Sequence, residues 1–381
     1  MQPVYLDHAA TTPLSPTARA ALLPFLDGDF GNPSSRHPLG TRALAAVDEA
    51  RARVAKVFLV EPRQVVFTSG GTEAANLAVQ GFARVARGRH VLVGALEHSC
   101  VRASVDALRS AGFEVERLPL DASGGLDLQR TAALLRPDTA LVAQMLVHNE
   151  TGAIAPVAKL ARLVRARSAR ARIVVDAVQA LGKLDCALPE LGADAAIASA
   201  HKLGGPKGAG ALVLGPDVAI EPVLFGGGQE RGLRPGTENV AAIVGFGVAV
   251  AEAERERGEL LARFKALRAL LLERLAPLAG LRVLTPGGHV QPGIVALVVP
   301  GAPAEVRLHH LAQRGVFVSA GSACQANSKA LSPGLVALGL SDDDVRRVLR
   351  VSFGRSTCVE DIERAAQALL EVSRELERAA S

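Results

Sequence analysis

Short apolar runs and amphipathic stretches alternate through the middle of the chain. Between about residues 60 and 215 the runs QVVFT, HVLVGA, EVERLPL, TALVAQML, RIVVDA, DAAIAS and GALVL carry few polar interruptions. The stretches at 73–86, 99–111 and 156–168 instead repeat their apolar residues at helical spacing. This alternation predicts an α/β unit with a mostly parallel sheet of seven strands. Strands that are apolar throughout predict helices on both faces of that sheet. A long amphipathic helix is predicted from 251 to about 278, with Leu260, Leu261, Phe264, Leu267, Leu271 and Leu275 near helical period. IVALVVP and VFVSAG then read as strands of a smaller α+β unit. Residues 357 to about 379 read as a closing helix, with Thr357 and Glu360 as a capping-box pair at its start. The pattern sets a domain boundary near residue 250. Residues 15–250 form the large unit, and 1–14 with 251–381 form the small one.

Composition supports two units and removes several function classes. A chain of 381 residues exceeds one core of ordinary size. Hydrophobic residues make up 49% and charged residues 21%, enough apolar material for a large core and against disorder. Trp is absent and Tyr occurs once, which argues against an aromatic platform for single-stranded nucleic acid. The net charge of +5 is spread without a dense Lys/Arg block, so no direct nucleic-acid or membrane face is expected. The apolar run at 243–251 is too short and too Gly-broken to span a bilayer. Met1 leads almost directly into YLDHAATTP with no signal peptide, and the expected setting is soluble and cytoplasmic. No two of Cys100, Cys186, Cys324 and Cys358 lie at CxxC spacing, so no metal site is expected. Neither GxGxxG nor GxxxxGK[ST] occurs at a strand–helix turn, which removes the common nucleotide-binding modules.

In an open α/β sheet, ligands collect at the carboxyl ends of the strands, and four polar clusters fall at predicted strand ends or in loops. Thr68-Ser-Gly-Gly-Thr-Glu73 brings small residues, including Gly71, and the Thr72 hydroxyl to a helix start that suits an anion. It reads equally as a Gly turn with Thr72 as N-cap. Asp176 closes the apolar run RIVVDA and is followed by Gln179; a buried acid there needs a partner, either a ligand or the next helix. Ser199-Ala-His-Lys202-Leu-Gly-Gly-Pro-Lys-Gly208 sets one of only seven lysines between a hydroxyl, an imidazole and a Gly/Pro loop. Lysine forms imines and serves as a base where arginine does not. Val318-Ser-Ala-Gly-Ser-Ala-Cys324 puts a thiol in a small-residue, polar stretch, which marks Cys324 as a nucleophile candidate.

Taken in order, these segments resemble the cysteine desulfurases, a class V branch of the fold-type I enzymes that use pyridoxal 5'-phosphate (PLP). The matching segments are YLDHAATTP, FGNPSSRH, FTSGGTEAANLA, EHSCV, HNETG, VDAVQALGK, SAHKLGGPKG, GGGQERGLRPGTENV, SAGSAC and RVSFGR, which together cover essentially the whole chain. Each is weak alone, but their number and order make chance implausible. The resemblance implies that Lys202 holds PLP as a Schiff base and acts as base at the substrate Cα. It implies that Asp176 pairs with the pyridine nitrogen, Gln179 bonds the phenolic oxygen, and His98 stacks on the ring. Gly71, Thr72, Ser199 and His201 would bind the phosphate. Thr237 would reach the phosphate of a neighbouring subunit, so a homodimer with shared sites is implied. Asn32, Asn149 and Arg355 would hold the substrate carboxylate and its surroundings. Cys324 would take sulfur from L-cysteine as a persulfide, release alanine, and pass the sulfur to an iron–sulfur scaffold or a tRNA-thiolation acceptor. Two departures stand out: Ala200 replaces a common Gly, and the loop from Cys324 to Pro333 is slightly long. A selenocysteine lyase or another class V enzyme such as an aminotransferase is the alternative, although an aminotransferase has no need of Cys324. A scaffold with a vestigial PLP site is opposed by the intact Lys202, Asp176, His98 and Cys324.

Overall fold

The computed structural model describes residues 3–321 and 330–380. Thirteen strands are assigned among them: β1 Val4–Tyr5, β2 Val65–Thr68, β3 His90–Gly94, β4 Glu114–Leu118, β5 Thr139–Met145, β6 Arg172–Asp176, β7 Ala195–Ser199, β8 Gly210–Leu214, β9 Arg282–Leu284, β10 Ile294–Val298, β11 Val316–Phe317, β12 Ser319–Ala320 and β13 Val348–Ser352. β2 to β8 form one seven-stranded sheet in the order β2-β8-β7-β6-β5-β3-β4. Only β8 runs against its neighbours; every other pairing across the sheet is parallel. The seven apolar runs of the sequence are these seven strands.

Their continuous hydrophobicity follows from burial on two faces. Ile173 and Val175 of β6, Ala196 and Ala198 of β7, and Ala211 and Val213 of β8 enter one core, against the helix Pro38–Phe58 and the first half of the helix Val240–Leu275. The intervening Val174, Ile197 and Leu212 enter a second core, against the helices Gly71–Val85 and Ser99–Ala107. Side chains alternate strictly along each strand, so a strand covered on both faces must be apolar at every position.

The smaller unit has the sheet order β12-β13-β10-β9, antiparallel throughout, and a parallel pair of β1 with β11. Val4 and Leu6 share its core with Phe264, Leu267, Leu271, Leu275 and the C-terminal helix. The long helix differs from the sequence reading. It is continuous from Val240 to Leu275, and residue 250 lies inside it. Its first turns carry Ile243, Phe246 and Val250 into the large core and its last turns carry Phe264 to Leu275 into the small one. The apolar face rotates from one core to the other, so periodicity alone marked only the second half.

The start of the C-terminal helix differs as well. The helix is Val359–Ala380. Asp361 accepts from the Cys358 N–H at 3.1 Å, while the Thr357 hydroxyl accepts from Gly354 N–H at 2.9 Å. Thr357 therefore ties down the preceding loop, and at the helix start Asp361 takes the Cys358 N–H while Glu360 pairs with the Cys358 thiol.

Candidate active site

The chain leaves the small unit after β1 and crosses the carboxyl edge of the large sheet at residues 7–15. Thr12 N–H donates to His201 O at 2.9 Å, Ser15 N–H to Gly204 O at 2.8 Å, and Gly204 N–H to the Thr12 hydroxyl at 2.8 Å. These bonds stitch the crossing segment to the loop that carries Lys202. Lys202 Nζ then donates to Ala9 O at 2.7 Å and to Ala10 O at 2.6 Å. Ala200 is fully buried, and a Cβ on Gly205 would fall 2.8 Å from its methyl. The glycine at 205 makes room for alanine at 200, which explains how that departure is accommodated.

Three groups converge on Lys202 from strand ends. Asp176 is the last residue of β6, and its Oδ1 accepts from the Val178 N–H at 2.9 Å. Burial pushes its carboxyl up to about 6, opposed by that N–H and by the charge of Lys202. His98 follows β3 and caps the helix Ser99–Ala107, its Nδ1 accepting from Cys100 N–H at 3.2 Å. An accepting Nδ1 puts the ring proton on Nε2 in the neutral imidazole. Burial, then the charges of Lys202 and Arg102, lower His98 to about 4. His201 is likewise lowered to about 4 by burial and by Lys202, and its Nδ1 lies 3.1 Å from the Thr11 hydroxyl.

Beside them lies a cradle of small residues. Ser199, buried, ends β7. A Cβ on Gly71 would sit 3.2 Å from Val178 Cγ2 and 3.7 Å from Ser199 Cβ, so a larger residue would crowd this corner. Gly71 begins a 15-residue helix whose N-cap, Gly70, makes no side-chain capping bond. Thr72 is exposed on its first turn and is not the N-cap. The helix start, Ser199 and His201 suit an anionic group. A buried acid at Asp176, an amine at Lys202 and an imidazole at His98 match a protonated ring nitrogen, an aldehyde and a ring face. The donor set fits PLP.

The remaining predicted residues divide. Gln179 is buried, and its Nε2 donates to Ala9 O at 2.8 Å, the same carbonyl that Lys202 uses. Asn149 follows β5, and its carbonyl accepts from Arg350 Nη1 at 3.0 Å. Asn32 is exposed, its Oδ1 taken by Ser34 N–H at 2.9 Å. Thr237 is exposed on a segment anchored to the large unit by Arg51 and Glu230, paired at 2.8 and 2.6 Å, and by Arg234 to Glu73 at 2.8 Å. Within one chain the structure does not gather Asn32 and Thr237 with the Lys202 cluster. Arg355 is turned to the long helix, where Glu252 pairs with Nη1 and Glu256 lies 3.5 Å from Nε. Cys324 lies outside the described residues.

Arg350 was missed. It stands in RVSFGR with Arg355 but lies within β13, buried, with Nη2 on Asp7 Oδ1 at 2.6 Å and Nε without a partner among the described residues. An arginine inside the apolar strand VLRVS was the available signal, because a buried guanidinium needs acceptors on several sides. His148 was missed too. Burial, Arg350 and His98 lower it to about 3, and it lies 2.9 Å from the Thr151 hydroxyl. Glu150, also missed, is buried and accepts from the Ser332 hydroxyl at 2.8 Å.

Residues 4–365 match the family model for class V aminotransferases. The chain belongs to the aminotransferase class-V family. It is 38% identical to a putative cysteine desulfurase IscS 1 of Bacillus subtilis (strain 168), covering 99% of this chain and 100% of that one. It is 42% identical to a cysteine desulfurase of Frankia sp. (strain EuIK1), covering 95% and 89%. Among solved structures, a NifS-like protein superposes with a TM-score of 0.92 at 32% identity, covering 99% of this chain and all of that one. The family uses PLP, in keeping with the residues around Lys202.

Proposed function

We propose that this chain is a PLP-dependent cysteine desulfurase, converting L-cysteine and the Cys324 thiol to L-alanine and a Cys324 persulfide. The observation that carries it is the convergence on Lys202 of Asp176 and His98, in a chain whose class V relatives include named cysteine desulfurases. PLP, when bound, supplies an electron sink for the charge left at Cα.

The chain's own groups do the rest. Lys202 removes and returns the proton at Cα. With PLP bound, Asp176 would keep the ring nitrogen protonated, and Gln179 would offer the phenolic oxygen the amide hydrogen not given to Ala9. His98, neutral at physiological pH, would stand at the ring face. Gly71, Thr72, Ser199 and His201 would hold the phosphate. The substrate carboxylate is assigned to Arg350 beside Asn149, in place of Arg355: each guanidinium keeps one buried nitrogen without a partner among the described residues, but Arg355 already faces two carboxylates, Glu252 and Glu256, and Arg350 only one, Asp7. A guanidinium already oriented by Asp7 loses little freedom on binding a carboxylate.

A homodimer completes the site in this reading. Phe30, close to Asn32, and Phe225, on the segment leading to Thr237, are 73% and 77% exposed. Apolar surface of this kind favours a partner, and a second copy brings Asn32 and Thr237 to the neighbouring site. The sulfur acceptor is an iron–sulfur scaffold or another thiol protein, in the cytoplasm. No helix among the described residues is long and apolar enough to cross a membrane. Incubation with L-cysteine and thiol tests the reaction: alanine and sulfide form together, and Cys324→Ala loses sulfide release while keeping the cofactor. Selenide release from selenocysteine that survives in Cys324→Ala, with no activity on L-cysteine, would favour the lyase reading.

A further inference from the structure

Behind Lys202 lies a cavity of about 270 Å³, walled by residues 8–16, by the middle of the long helix and by Ser352–Ser356. Its polar members include His8, Gln179, Lys183, Glu252, Gln291 and Arg355. Lys183 sits seven residues past Asp176, on the turn after β6. Its Nζ donates to Gln179 O at 3.2 Å and lies 3.5 Å from Gln179 Oε1. The other end of that amide, Nε2, donates to Ala9 O, which also accepts from Lys202 Nζ. An ammonium only donates and a carbonyl only accepts. Lys183 and Ala9 therefore leave the Gln179 amide one orientation, with Nε2 toward Lys202.

We infer that Lys183 is a positioning residue for the Lys202 chemistry, fixing the Gln179 amide and standing as a second positive charge behind the Lys202 nitrogen. The inference rests on PLP being held at Lys202. A nearby cation disfavours protonation of the Lys202 nitrogen, and the nitrogen must be free of its extra proton to act as a base. The surroundings leave the Lys183 charge in place. Burial raises the nearby Cys186 thiol to about 12 and lowers His8 to about 4, so both are neutral at physiological pH. The cavity's carboxylates, Glu252 and Glu256, are engaged by Arg355. Burial and the charge of Lys202 lower Lys183 to about 8, which leaves it mostly cationic at pH 7. On the sheet side the charged and titratable groups facing Lys202 are Asp176, His98 and His201.

The test is a pH titration of the visible absorption band of the PLP-loaded dimer, for the unmodified protein and for Lys183→Met, Lys183→Gln and Lys183→Arg. Borohydride reduction and mass spectrometry first locate the cofactor; failure to find it on Lys202 overturns the cofactor reading itself. With it there, the midpoint is expected to rise by roughly one pH unit in Lys183→Met and Lys183→Gln and to stay near the original in Lys183→Arg. A merely structural lysine would change thermal stability and leave the midpoint alone. Midpoints unmoved in the neutral variants, with cofactor on Lys202, overturn the inference. Lys183→Gln keeps a donor for Gln179 O, so it carries the test should Lys183→Met not fold.

Discussion

The two sides of Lys202 are built differently. On the sheet side, Asp176 and Ser199 end strands, and His98 follows one by a short turn. Two of them are held by neighbours in their own segments, Asp176 by the Val178 N–H and His98 by the Cys100 N–H. On the far side, His8, Gln291 and Arg355 come from three separate segments and all keep buried polar atoms without hydrogen-bond partners among the described residues, and Glu252 joins them from the long helix through Arg355. The sheet side is preformed by local structure. The far side is polar space closed by pieces brought together only by the packing of the two units, and it is where substitutions separate positioning from chemistry.

The largest expected effect comes from Lys202→Ala. Turnover of L-cysteine falls by about three orders of magnitude or more while far-UV circular dichroism stays unchanged; a variant that keeps a tenth of the rate removes Lys202 from the chemistry. Next are the two arginines of RVSFGR. Arg350→Ala is expected to lower kcat/KM by roughly 100-fold, chiefly through KM, and Arg355→Ala by less than about 10-fold. The reverse ranking would move the carboxylate site to the far side of Lys202.

The buried pair that anchors the Thr237 segment gives a stability test. Arg51→Met leaves Glu230 buried without its bidentate partner, and unfolding in urea should show a loss of about 3–5 kcal/mol. A change under 1 kcal/mol would mean that the Phe67 N–H, which donates to Glu230 Oε2 at 2.9 Å, suffices for the carboxylate.

The smallest effect is in pH dependence of the cofactor-free protein. His98, His148 and His201 are lowered to about 4, 3 and 4 in the folded state, so between pH 6.5 and those values the unfolded chain binds more protons. Stability is present above 6.5 and lost as pH falls through that window. Asp176 acts oppositely: raised to about 6, it loses stability as pH rises from its unfolded value near 4. His8 is lowered like those three imidazoles, and burial raises Glu97 and Glu150 as it raises Asp176. With these four imidazoles against three carboxyls, the urea midpoint is expected to drop modestly from pH 7 to pH 4.5, and His148→Asn to reduce the drop. An unchanged slope in that variant would show that His148 titrates normally.

Much of this was legible in the chain. The seven strands of the large sheet could be read from continuous apolar runs, because burial on both faces leaves no other composition. Lys202 and Asp176 stood out as polar residues at the ends of those runs, while His98 entered only through the family resemblance. What could not be read depended on distant partners. Arg350 and Arg355 stand five positions apart in one motif, and only Asp7, 343 residues from Arg350, and Glu252 on the long helix tell them apart. Lys183 looked like one lysine among seven, because its burial is made by segments from both ends of the chain. The long helix hid its first half, because its apolar face turns from one core to the other near residue 250.

The most direct measurement is a single turnover of the PLP-loaded protein with excess L-cysteine, followed by alanine quantitation and mass spectrometry of the Cys324 peptide. The account predicts one alanine per site with a matching persulfide on Cys324, and in Cys324→Ala bound cofactor but no sulfur on the protein. Sulfur release at the original rate by Cys324→Ala would contradict it.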